Sequence, residues 1–198
     1  MRKALCVAAL IVLAWTSVAG AQEAIFRGLQ WGDPPDKLAA LGEPYPDKSW
    51  AAEELAKEGI TLWRVRQDNL DIGEIRLGKI TYAFLNNRLF YISLLAASDE
   101  YGSMLQELAV ARYGGKLGST SELLPPLKYL YIGGGALGVS GDTIWVRDYL
   151  GQDSLHLISL DMFIEYLRQL AGRSALSGSS TAIPASIQEA LQEFTAAP

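Results

Sequence analysis

The chain has 198 residues, with 17 Lys or Arg, 22 Asp or Glu, one histidine and one cysteine, for a formal net charge of −5. An acidic balance excludes a protein built on a basic nucleic-acid footprint or on attraction to an anionic membrane surface. One cysteine excludes a disulfide framework, and one histidine leaves too few ligands for a zinc centre.

Residues 1–21 open with Arg2 and Lys3, continue as an apolar run and end in Ala19, Gly20 and Ala21. A basic start, a short apolar stretch and small residues predict a secretory signal peptide cut after Ala21. The run is shorter than the ~20 residues that span a bilayer. Cys6 lies inside it, so the expected mature chain has no cysteine, and the expected address is periplasmic or secreted. The length beyond it suits one domain, or two small similar halves.

Over residues 32–44, Asp33 is expected to cap a short helix, with Pro34 at its first position and Leu38 and Leu41 as its apolar stripe. Gly42 and Pro44 mark its end. The pattern Gly32-x5-Leu38-x2-Leu41-Gly42-x-Pro44 resembles the opening helix of small envelope proteins of the SmpA/OmlA (BamE-like) type. Their two helices on a three-stranded antiparallel sheet have a shape shared with β-lactamase-inhibitor proteins. The run from Phe26 through Arg27, Gly28, Leu29, Gln30 and Trp31 to Gly32 resembles the start of many secreted bacterial proteins. Those continue, as here, to a Tyr82-x-Phe84 hairpin and a helix ending in Tyr113 and Gly114. The resemblance implies an α+β envelope protein. The SmpA/OmlA members are lipoproteins that assist outer-membrane assembly, and their lipidated cysteine has no counterpart here.

Residues 49–57 read as a helix capped by Ser49 and ended by Gly59, residues 60–66 as a strand, and residues 75–77 as a short extended piece. Residues 80–95 read as a β-hairpin turning at Asn86 and Asn87, because Asn tolerates the left-handed backbone of a two-residue turn. That register sets Phe84 opposite Leu89 and Tyr82 opposite Tyr91. Ser98 is expected to cap a helix to Tyr113 whose apolar face is Tyr101, Met104, Leu105, Leu108 and Ala109. Residues 127–132, 136–140, 144–149 and 155–160 read as strands, and Asp161 as the cap of a helix carrying Phe163, Leu167 and Leu170 on one face.

The expected fold is α+β: an antiparallel sheet with helices packed on one face, in two tandem βββα-like halves. The expected single domain covers residues 22–171, with halves 22–115 and 116–171. Residues 172–183 read as a Gly/Ser/Ala-rich linker, and residues 184–198 as a short C-terminal helix and tail with a Ser186–Glu189 capping box. Ile187, Leu191 and Phe194 form its apolar stripe, which can dock back on the sheet or reach a partner; a partner-binding tail is the expectation.

No catalytic, cofactor-binding or metal residue is expected. A Gly-x-Ser-x-Gly elbow is missing, and Gly133, Gly134 and Gly135 lack the spacing of a phosphate loop. Asp142, Asp148 and Asp153 lack that of a calcium loop. His156 reads as a lone polar residue on a sheet face. Trp63, Tyr82, Tyr91 and Trp145 fall in expected strands; core packing is their plain reading, and a shared exposure would make them a binding face. The expected function is a binding or protein-interaction module of the bacterial cell envelope. Its partner would be an envelope protein, without nucleic acid, cofactor or membrane span. The alternatives are a carboxylate-based hydrolase and, by analogy of shape, an inhibitor of a secreted enzyme.

Overall fold

The computed structural model describes residues 24–113, 118, 119, 135–148 and 154–177. The expected signal peptide, the strand at 127–132 and the C-terminal stripe of Ile187, Leu191 and Phe194 lie outside them. The chain divides into two compact units with the boundary after Gln30. In the first, the described residues make a tight turn. The Leu29 amide donates to the Phe26 carbonyl at 2.9 Å, Arg27 and Gly28 take φ 51° and 80°, and the Arg27 guanidinium lies 4.8 Å over the Phe26 ring.

The second unit holds nine described strands: β1 (Glu43–Pro46), β2 (Ile60–Arg66), β3 (Asp71–Ile72), β4 (Ile75–Leu85), β5 (Arg88–Ala96), β6 (Gly118–Ser119), β7 (Gly135–Ser140), β8 (Thr143–Asp148) and β9 (Ser154–Ser159). They form one antiparallel sheet in the order β1-β2-β4-β5-β9-β8-β7-β6, with β3 pairing at the start of β4. The described α-helices are α1 (Trp50–Ala56), α2 (Asp99–Tyr113) and α3 (Leu160–Ser177). This is the α+β class that the pattern of strand runs and helices predicts. The meander β2-β4-β5 runs into α2 and the meander β7-β8-β9 into α3, and the two join through β5 and β9, with Tyr91 opposite Ile158. One sheet therefore passes through both halves. Among the described residues no helix is long and apolar enough to cross a membrane.

Local chemistry sets most boundaries. Ser49 Oγ accepts the Ala52 amide at 3.3 Å at the start of α1, and Gly59, at φ 80°, closes its end with a bond to the Ala56 carbonyl. The segment before β1 differs from expectation. It is a 3₁₀ helix, Pro35–Ala40, with Pro34 rather than Asp33 in the cap position and no side-chain cap. Pro35 forbids helical backbone to the residue before it, so Pro34 stays extended at ψ 161° and the helix starts one residue late. At α3 the cap is Ser159, whose Oγ lies 3.5 Å from the Met162 amide, and Asp161 falls in the first turn. That helix runs on to Ser177, so residues 172–177 are helical rather than linker.

The hairpin turns where expected. Asn86 and Asn87 both hold positive φ, 51° and 64°, the two-residue geometry that matches strand twist. Phe84 faces Leu89 as expected, but a bulge between Ala83 and Phe84 inserts Phe90, so Tyr82 faces Ile92 and Ala83 faces Tyr91. The bulge lets consecutive Phe90 and Tyr91 enter the same core, their rings 6.2 Å apart. A one-residue slip exchanges faces, so Tyr82 and Tyr91 point to opposite sides of the sheet.

On the first face, Ala52 and Leu55 of α1 and Met162, Phe163, Tyr166 and Leu167 of α3 share a core with Ile60, Leu62, Leu85, Ile144 and Ile158. The second face is buried too, and all six residues of β9 are buried. α2 packs across β4, β5, β9, β8 and β7, with Leu105 and Ala109 inside. Its buried stripe is Gly102, Leu105 and Ala109, whereas Leu108, expected inside, is 37% exposed. Small residues on the contact side let the helix approach the strands closely, and the larger Leu108 is turned outward.

Candidate functional site

Two rows of side chains lie back to back across the middle of the sheet. On the second face run Trp63, Tyr82, Ile92, Leu157, Trp145 and Gly138, each opposite the next on the neighbouring strand. Tyr82 and Trp145 have no exposed surface, and Trp63 is half-buried with its indole N–H on Thr61 Oγ1 at 3.2 Å. Trp145 packs against Gly138: a Cβ there would overlap the indole ring. Tyr82 donates from its hydroxyl to Asp68 at 2.9 Å. Tyr91 sits on the other face, also buried. The exposed aromatic face that Trp63, Tyr82, Tyr91 and Trp145 would have formed is therefore not made: three of them are core residues, and the bulge at Phe90 separates Tyr91 from the rest.

The row on the first face is polar. Thr81 faces Ser93, Ser93 faces His156, and Arg64 comes next to Thr81 as the residue after the Trp63–Tyr82 pair. Lys79 lies two residues along β4 on the same side. Along β2 the first face thus changes from Ile60 and Leu62, in the core with α1, to Arg64.

The loop between β1 and α1 places a carboxylate here. The Asp47 amide donates to the Leu62 carbonyl at 2.8 Å, which pins the loop to β2. Asp47 Oδ1 accepts the Ser49 amide at 2.9 Å, and Oδ2 accepts from Arg64 Nη2 at 2.6 Å. The Asp47 side chain is 8% exposed and that of Arg64 32%. Solvent screening leaves exposed pairs such as Arg66–Glu43 and Arg88–Glu165 worth ~0–1 kcal/mol. The sheltered Asp47–Arg64 pair is screened less. Burial raises the Asp47 carboxyl, but the Ser49 amide and the Arg64 charge outweigh it and hold it below its ordinary value. Burial lowers the Lys79 ammonium, the neighbouring Arg64 charge adds to this, and Asp47 opposes both.

Arg64 Nε is buried and has no hydrogen-bond partner among the described residues. Such an orphan donor costs ~1–3 kcal/mol. Both Asp47 oxygens are already engaged, so two cations share one carboxylate at this end of the sheet.

The sole histidine is a structural hub. Tyr91 Oη lies 2.7 Å from His156 Nδ1, Ser154 Oγ lies 2.9 Å from Nε2, and the Tyr91 and His156 rings stack at 5.7 Å. Hydroxyls donate or accept, so both ring nitrogens are satisfied in either neutral tautomer. His156 is 2% and Ser154 7% exposed. Of the three aspartates near this hairpin, Asp142 is exposed and accepts from Thr143 Oγ1 at 3.1 Å; the side chains of Asp148 and Asp153 lie outside the described residues.

Arg64, Lys79 and Asp47 were not singled out from sequence. Their only local signal is the replacement of an apolar residue by Arg64 at the third inward position of β2, which has meaning once that face is known. Fold and site together define an α+β protein with a partly buried, cation-rich patch at one end of an antiparallel sheet. No known protein family, curated protein or solved structure matches the chain.

Proposed function

We propose that this chain is a non-catalytic binding module of the bacterial cell envelope, taking its ligand at the polar end of the first sheet face. Arg64 carries the reading. An arginine held by a sheltered carboxylate, with a buried donor still unspent, is a group prepared for an acceptor that the described residues do not provide. The secretory segment at 1–21 supports the address, and the motifs at 26–114 support kinship with the SmpA/OmlA type.

One observation favours a second reading, a hydrolase: Ser154 lies against His156, as a nucleophile lies against its base. The burial of both residues weighs against it. The test compares variants of the secreted full chain. Binding predicts that Arg64→Ala weakens capture of envelope material while Ser154→Ala leaves it unchanged. Ester hydrolysis abolished by both Ser154→Ala and His156→Ala would replace the binding reading with an enzyme.

A further inference from the structure

Resting on that reading, we infer that the polar end of the first face is a carboxylate site, in which one carboxylate bridges Arg64 and Lys79 beside Thr81.

Charge balance comes first. Arg64 and Lys79 interact with each other and with Asp47, and among the described residues Lys79 forms no ion pair. Two cations against one carboxylate leave a single positive charge, partly withdrawn from water. One carboxylate neutralises it, whereas a phosphate dianion would leave the site negative. Donor count points the same way. The unspent groups are Arg64 Nε and the Lys79 ammonium, and a carboxylate has two oxygens to receive them. Asp47 already shows that this guanidinium binds a carboxylate, its Nη2 donating to Oδ2 at 2.6 Å. Thr81 and Ser93 add hydroxyls on the same face of the adjacent strands, which accept or donate as the ligand requires. The downward shift of Lys79 agrees: burial and the Arg64 charge outweigh the help from Asp47, and a bound carboxylate would raise it again.

The carboxylate could belong to a small acid or to an acidic side chain of a peptide, and one experiment separates these. The ¹⁵N-labelled full chain is titrated, at ionic strength fixed with sodium chloride, with acetate, triglutamate and inorganic phosphate, and the Arg64 Nε–H and the Lys79, Thr81 and Ser93 amides are followed. Saturable shifts of these signals with acetate are expected. Triglutamate binding more tightly than acetate would assign the site to an acidic peptide, and equal affinity to a small acid; either supports the site. Lys79→Met and Arg64→Lys should each weaken binding about tenfold, the loss of one charge-assisted hydrogen bond. Their spectra report retention of the fold in the same measurement. No saturation, shifts confined to other residues, or phosphate binding as tightly as carboxylate would overturn the inference. If a neutral chitin oligosaccharide shifts these amides while acetate does not, the carboxylate class fails and the binding module stands. If no ligand shifts them and Ser154-dependent ester hydrolysis is found, both fall.

Discussion

The aromatic row and the polar row use neighbouring residues of the same strands: Trp63 and Arg64, Thr81 and Tyr82, Ile92 and Ser93, His156 and Leu157. On the second face the row is closed. Large rings fill the space over glycine, and the polar atoms of Tyr82 and Trp63 are bonded within the chain. On the first face the row divides. His156 is satisfied on both nitrogens and belongs to the interior, whereas Arg64 at the far end keeps a buried donor without an acceptor among the described residues. Strand alternation makes this division available: one face carries stability while the other, one residue away, retains polar groups for a ligand.

Substitutions should separate the rows by size of effect. Trp145→Ala empties the centre of the closed row and should cost about 3–5 kcal/mol in urea unfolding, without disturbing ligand response at Arg64. A loss below 1 kcal/mol, in the range of an ordinary surface substitution, would show that the row is not the core. Gly138→Ala should cost roughly 1–3 kcal/mol by overpacking, and combining it with Trp145→Phe should recover part of that, because the clash is with the indole.

Within the polar row, Tyr91→Phe leaves a His156 nitrogen without its hydroxyl, and a loss of about 1–3 kcal/mol is expected, visible as a shift of the His156 ring signals. Asp47→Asn should give the smallest effect, roughly 1 kcal/mol, and one that depends on pH. The native carboxyl titrates below its unfolded value of about 3.9, so its contribution is complete above that value and is lost as pH falls through the folded one. Acid unfolding curves of the wild type and the Asn variant should therefore converge below about pH 4. A constant separation down to pH 2 would show that the carboxylate charge is not what Arg64 holds.

Residue types alone were enough for the parts that local chemistry controls. Two asparagines bend the hairpin, Ser49 and Gly59 bound α1, and the runs of β-branched and aromatic residues place β2 and the strands around Trp145 and His156. These follow from interactions within a few residues, which a linear reading can see. The bulge at Phe90, the burial of both sheet faces and the outward turn of Leu108 could not be read that way. Each depends on which partner strand or helix occupies a neighbouring space, and that is settled only when distant segments pack. The polar end of the first face is the extreme case. Asp47, Arg64 and Lys79 come from a loop and two strands, and nothing in their separate neighbourhoods marks them. Their chemistry arises from proximity and partial burial together, because a charge acquires an unmet demand for a partner only where the fold withdraws its water.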